Sequence, residues 1–182
     1  MQHPPPFRSA RAALATLCIA ATAPSAHAAE RSIAVPPVLQ SSWEFPTHVT
    51  GGRLRPHLGV GFWQRGSGAK PGVGANYVSV LEYQLPEAAP PRVRSATLQF
   101  SGKAAQCVGA EPVVIEVHAY AGNGRAEEDD TRAGSRVARL SADCGDARAF
   151  AQPIDVTAVV RQLSVPSGVR HVGFNIRKAN NR

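Results

Sequence analysis

The sequence predicts an all-β protein, a two-sheet antiparallel jelly-roll β-sandwich with one short helix near the C-terminus. Three observations carry this. First, apolar residues alternate with polar ones at period 2, the pattern of a strand with one buried face. In residues 77–85, Tyr77, Leu81, Tyr83 and Leu85 fall on one face, and Val78, Val80, Glu82 and Gln84 on the other. In residues 95–101, Ala96, Leu98 and Phe100 alternate with Ser95, Thr97, Gln99 and Ser101. Second, about eight such runs are separated by turn-forming residues, the spacing of a sandwich. Third, the connections are long, which favours a jelly-roll or Greek-key order over a meander.

Taken in order, residues 1–28 read as a secretory signal peptide. Arg8 and Arg11 precede an apolar run over residues 12–23, followed by the small-residue site Ala26-His27-Ala28. The run is too short to cross a bilayer, which takes roughly 18 or more apolar residues. Cleavage after Ala28 would leave 154 of the 182 residues. That length suits one domain with a real core and no transmembrane segment. Residues 29–76 read as an N-terminal extension, edge strands and a Gly-rich loop. Their parts are an extended lead, a strand over 41–50 limited by Pro46, a Gly51-Gly52 turn, and a mixed segment ending in a short strand at Phe62-Trp63. The main body of the sandwich is residues 77–182.

In that body, residues 77–100 are two strands joined by a turn holding Pro86, Pro90 and Pro91, which cannot donate to a ladder. Residues 113–120 form a β-branched strand, 136–140 a short one, and 149–156 another broken at Pro153. Asp155 reads as the cap of a helix in which Val156, Val159, Val160 and Leu163 share one face. Pro166 and Gly168 end it. Val172, Phe174 and Ile176 alternate through the last strand.

Removing residues 1–28 takes two of the 20 Lys+Arg and none of the 13 Asp+Glu, leaving a net charge of +5. Nearly all the positive charge is arginine, whose planar fork suits carboxylate, phosphate and sulfate. A GC-rich genome gives the same bias. Two cysteines remain, Cys107 and Cys144, and in an oxidising compartment such a pair reads as one disulfide.

No motif marks an enzyme, and no cofactor is implied. G-x-S-x-G and H-E-x-x-H are absent. Glu82 and Glu116 could meet across strands as glycosidase carboxylates do, but nothing selects that pair over others. The Gly-rich loop over 64–76 lacks the phosphate-binding G-x-x-x-x-G-K-[ST] and reads as surface. Glu127 to Asp130 lack the spacing of a calcium loop and read as a solvated loop near Arg125 and Arg132, so no metal site is predicted. His118 and His171 read as surface or satisfied core groups. Nucleic acid is disfavoured, because no recognised binding motif accompanies the charge.

The order of short motifs resembles the DNRLRE-like family of secreted bacterial β-sandwiches. The carrying residues are Leu85-Pro86, Ser95-Ala96-Thr97-Leu98, Asp155-Val156-Thr157 and Gly173-Phe174. The resemblance implies a jelly-roll module of a kind that accompanies polysaccharide-active enzymes and in some cases binds carbohydrate. It transfers no catalytic or ligand residue. Candidates for ligand binding come instead from side-chain chemistry. Trp63, Trp43 and Phe62 offer flat faces for sugar rings, while the place of both tryptophans beside strand residues favours core, or anchors of the N-terminal segment. Arg53, Arg55 and Arg65 would pair with acidic groups. The expectation is an exported, non-catalytic binding module, periplasmic or extracellular, for an acidic polysaccharide. The alternative is a structural or protein-interaction domain of the bacterial envelope.

Overall fold

In the computed structural model, the described residues are 14–22, 31–47, 50–58, 60–64, 74–85, 92–101, 112–143, 150–164 and 169–179. They form the predicted all-β, two-sheet sandwich. Its strands are β1 (Leu14–Thr22), β2 (Arg31–Val35), β3 (Leu39–Pro46), β4 (Arg53–Arg55), β5 (Gly61–Gln64), β6 (Gly74–Gln84), β7 (Arg92–Ser101), β8 (Val113–Gly122), β9 (Ser135–Ala142), β10 (Ile154–Asp155) and β11 (His171–Lys178). The one helix in this set, α1, is Thr157–Ser164, and a 3-10 turn covers Glu128–Thr131.

One sheet has the order β10-β7-β1-β2, the other β4-β3-β6-β11-β8-β9, with β5 pairing β6 alongside. Every ladder is antiparallel. The order is no meander, because the C-terminal β11 inserts between β6 and β8. The two alternating strands flanking the Pro-rich turn do not pair. β6 lies at the middle of the large sheet and β7 in the small one.

The core fills the space between the sheets. Leu17, Ile19, Ala96 and Leu98 come from the small sheet, and Leu81, Tyr83, Val117, Val172 and Phe174 from the large one. Tyr83 meets Phe174 edge-on, with ring centroids 5.9 Å apart. The inward residues of β6, β7 and β11 are those predicted by alternation. The outward face of β6 differs from expectation. Val80 and Glu82 are fully buried there as well, because the segment after β8 folds back across that face.

Two other expectations change. The strand predicted over 149–156 contracts to Ile154–Asp155, since Pro153 has no N–H to give a ladder. Residues 14–22, predicted as the apolar part of a leader, form β1 in the full chain, between β7 and β2. Cys107, Cys144, His48 and Arg65 lie outside the described residues. Among those described, no helix is long and apolar enough to cross a membrane.

α1 is tied to β7 at both ends. The Val156 N–H donates to the Ala96 carbonyl at 2.9 Å, and the Ala96 N–H donates to the Thr157 hydroxyl at 2.9 Å. At the other end, the Arg161 guanidinium donates to the carbonyls of Val93 and Arg94 at 2.7 and 2.8 Å. The ladder register shifts there, Ala20 facing Ser95 and Ala21 facing Val93, which leaves Arg94 out of the pairing. A bulge frees backbone carbonyls, and Arg161 takes them up.

The Asp155 carboxylate accepts from the Thr157 N–H at 2.9 Å, before the first full turn of the helix. Bonds from the Thr157 side chain and then its backbone hold the carboxyl below its ordinary value of 3.8. A depressed acid stabilises the fold above its unfolded value and loses that contribution as pH falls through the folded value. Asp155→Ala should therefore lower the thermal midpoint at neutral pH. The gap to the parent should close in acid below 3.8. A gap unchanged in acid would mean that the carboxylate does not act through this bond.

Candidate functional site

Four strands at one end of the large sheet carry five of the six predicted ligand residues, and their registers sort those residues between the two faces. Paired residues in a ladder share a face. Arg53 pairs with Glu44, Glu44 with Tyr77, and Tyr77 with Gly61, one row across β4, β3, β6 and β5. Arg55 pairs with Ser42 and Trp63 with Ala75, both on the face of that row. Arg53, Arg55 and Trp63 thus belong together. Trp43 pairs with Leu54 and Val78, and Phe62 with Asn76, so both occupy the opposite face. Three strand spacings separate β4 from β5, about 14 Å.

This row continues the core-facing side of β6, where Ser42, Ala75 and Ser79 are buried, and it is exposed at its β4 edge. Arg53 is exposed and has no ion-pair partner among the described residues. The half-exposed Arg55 donates its Nε–H to the Glu44 carboxylate, which offsets its charge. Next to them the His57 and Tyr77 rings lie 6.3 Å apart. Among the described residues, the face therefore offers one guanidinium with no ion pair, one braced by a carboxylate, and the His57 and Tyr77 rings.

Trp43 has a packing role. It stacks with Phe45, centroids 6.5 Å apart and planes 25° apart. Gly52 lies directly on both rings, where a Cβ would come within 2.7 Å of Trp43 and 2.8 Å of Phe45. Its face is covered by the turn that leads into β4. Leu54, the neighbour of Trp43 on this side, is 49% exposed.

A second constellation lies on the outward side of β6, β11 and β8. Glu82 is fully buried. Its carboxylate accepts from the Tyr120 hydroxyl at 3.1 Å and from the Gly124 N–H at 2.5 Å. Burial is the main cause that pushes this carboxyl above its ordinary value, partly offset by those two donors. The Tyr120 ring crosses over Gly173, where a Cβ would come within 2.2 Å of it. Any side chain at 173 would evict the ring. Asn175, also fully buried, donates to the carbonyls of Asp130 and Ala133 at 2.7 and 2.9 Å.

The acidic run is solvated in part, as its composition predicts: Glu127 and Asp129 are exposed, and the difference lies at its end. Asp130 and Thr131 are buried within the 3-10 turn. The Asp130 carboxylate accepts from the Glu127 N–H at 2.8 Å, closing a capping box. Glu128 accepts from the Gly52 N–H at 3.2 Å and lies 3.8 Å from Arg132. These carboxylates are spent on backbone and arginine. Among the described residues, no group of three His, Cys, Asp or Glu could hold a metal.

No protein-family model, curated protein or solved structure matches this chain.

The carboxylate pair considered for glycoside hydrolysis does not assemble. Glu82 aligns through Gly173 with Tyr120, four residues along β8 from Glu116 and two strands from β6. That separates the two by about 13 Å along the strands and about 10 Å across them, beyond the roughly 5–9.5 Å that glycosidases use. Glu116 instead binds Arg136 at 2.9 Å and His118 at 3.3 Å. His118 is buried, burial lowers its basicity, and Arg177 donates to its ring at 2.9 Å. Of the two readings left open for His118, surface or satisfied core group, this is the second, within a polar network that ties β8, β9 and β11 together.

Sequence reasoning missed the Glu82 network. The available signal was a glycine, Gly173, in mid-strand, which marks a close approach.

Proposed function

We propose that the protein is an exported, non-catalytic binding module whose arginine face takes an acidic polysaccharide. The observation that carries this reading is the shared row of β4, β3, β6 and β5. It sets exposed Arg53, braced Arg55 and the Tyr77–His57 rings on one face with the position of Trp63. Guanidinium groups pair with carboxylates or sulfates along a chain, and flat rings suit the apolar faces of sugars. Resemblance of the strand motifs to DNRLRE-like sandwiches, the signal-peptide pattern in the sequence of residues 1–28 and the basic charge support it.

The test separates charge from stacking. Arg53→Ala should weaken binding of a uronate polymer about two- to five-fold at low salt, the scale of an exposed ion pair, and by less at high salt. Trp63→Ala should weaken it about three- to ten-fold at both, since stacking is not screened. Arg55→Ala should change it less than Arg53→Ala, because Glu44 already offsets that charge. If both Arg53→Ala and Trp63→Ala bind as the parent does, the site is elsewhere.

One observation favours the protein-interaction reading. The large sheet ends on β4, where Leu54 is 49% exposed on the face away from the arginines. Unpaired edges with apolar side chains are natural docking strands.

A further inference from the structure

We infer that, once the leader is removed, two copies of the chain pair by exchanging the segment Arg31–Val35 into the place that β1 fills in the full chain. The inference rests on the export reading, because the place is vacated only if residues 1–28 are cut away.

β1 is the inner strand of the small sheet. It is antiparallel to both β7 and β2, and Leu17 and Ile19 are 0% and 2% exposed. Leu17 lies opposite Leu98 and Ile19 opposite Ala96. Loss of residues 14–22 takes away two aliphatic side chains from the core. It also strips β7 of its long ladder, leaving it the two-residue ladder with β10 and the bonds to α1, and leaves β2 with no ladder partner among the described residues. Buried backbone groups must be paired, and apolar walls must be covered. The vacancy therefore selects its occupant. It calls for an extended segment, antiparallel to β7, with two bulky aliphatic residues flanking a small one.

Ile33-Ala34-Val35 repeats the bulky–small–bulky order of Leu17-Cys18-Ile19. The chain's own copy of that segment has the wrong direction. β2 is antiparallel to β1, hence parallel to β7, so a sideways shift gives no antiparallel pair. It cannot turn around in place, because three residues on, the Val38 N–H is bonded to the Glu82 carbonyl at 2.8 Å in the other sheet. Pro36 and Pro37 stiffen the short connection between them. The same segment of a second copy meets no such constraint. It enters antiparallel, with its Ile33 opposite Leu98 and its Val35 opposite Ala96. The exchange is reciprocal, so a two-fold dimer closes with residues 96–100 of each β7 paired again.

The experiment uses the full-length gene expressed in an exporting bacterium, with protein taken from the exported fraction. Intact mass should show a chain beginning at Ala29, and light scattering should give twice that mass. The variant carrying Ile33→Cys and Leu98→Cys should run as a covalent dimer without reductant, while each single variant does not. Ile33→Asp should shift the assembly to monomer or leave the chain unfolded, because a charge would enter the core. A chain that retains residues 1–28 overturns the export reading, and the exchange with it. A monomer beginning at Ala29 overturns the exchange alone. So does a double-cysteine variant that stays at monomer mobility. If that variant is not recovered folded, Ile33→Asp decides, and an unchanged dimer overturns the proposal.

Discussion

Phe174→Ala is expected to lower the stability of the protein by about 3–5 kcal/mol, the range for removing a buried phenylalanine ring. Phe174 is the middle of the middle. It sits on β11, opposite Leu81 of β6 and Ala119 of β8, and is fully buried. Its ring meets Tyr83 at 5.9 Å and 72°, so the substitution removes an aromatic pair as well as volume. The strands on either side are locked in their ladders and cannot collapse into the gap. Denaturant unfolding with an unchanged slope should report the loss as a shifted midpoint. A cost below about 1 kcal/mol would mean that Phe174 does not fill the space between the sheets.

The second large effect is expected at Glu82. Glu82→Ala should cost about 2–5 kcal/mol, because it strands two donors, the Tyr120 hydroxyl and the Gly124 N–H, and opens a void beside them. Glu82→Gln keeps the volume and should cost less. The two differ in pH behaviour. The folded carboxyl is raised above 4.5, chiefly by burial. A raised acid contributes most below its unfolded value, and that contribution is lost as pH rises through the folded value. Glu82→Gln carries no such loss, so it should gain on the parent as pH climbs from below 4.5 towards neutral. A gap constant in pH would show that the carboxyl titrates normally and is not held in the buried network.

Strands were legible wherever one face alone decides the pattern. Ala96 and Leu98 of β7, and Val172, Phe174 and Ile176 of β11, point to the core as their alternation predicts. The failures come from contacts distant in sequence. Alternation puts Glu82 towards solvent, yet Tyr120 and Gly124, about forty residues on, close over it. Composition makes the run from Glu127 to Asp130 a polar loop, yet Asn175 pins its backbone to the sheet. In the candidate site, the residue types were legible and their grouping was not. Whether Trp43 shares a face with Arg53 depends on the register of β4 against β3, and whether Trp63 does depends also on those of β3 and β5 against β6. No local pattern sets those registers. Arg161 shows the same limit. Its place on the helix was readable, but its use as a clamp on the β7 bulge was not.

The central claim, an anionic glycan held by arginine and aromatic surface together, is tested most directly by titrating the protein with a uronate polymer and a neutral polymer of similar length, each at low and high salt. The account predicts that the uronate polymer binds at low salt, weakens as salt rises without vanishing, and outcompetes the neutral one throughout. No binding to either polymer would contradict it. So would binding of the uronate polymer that disappears entirely at high salt, since charge alone would then explain it.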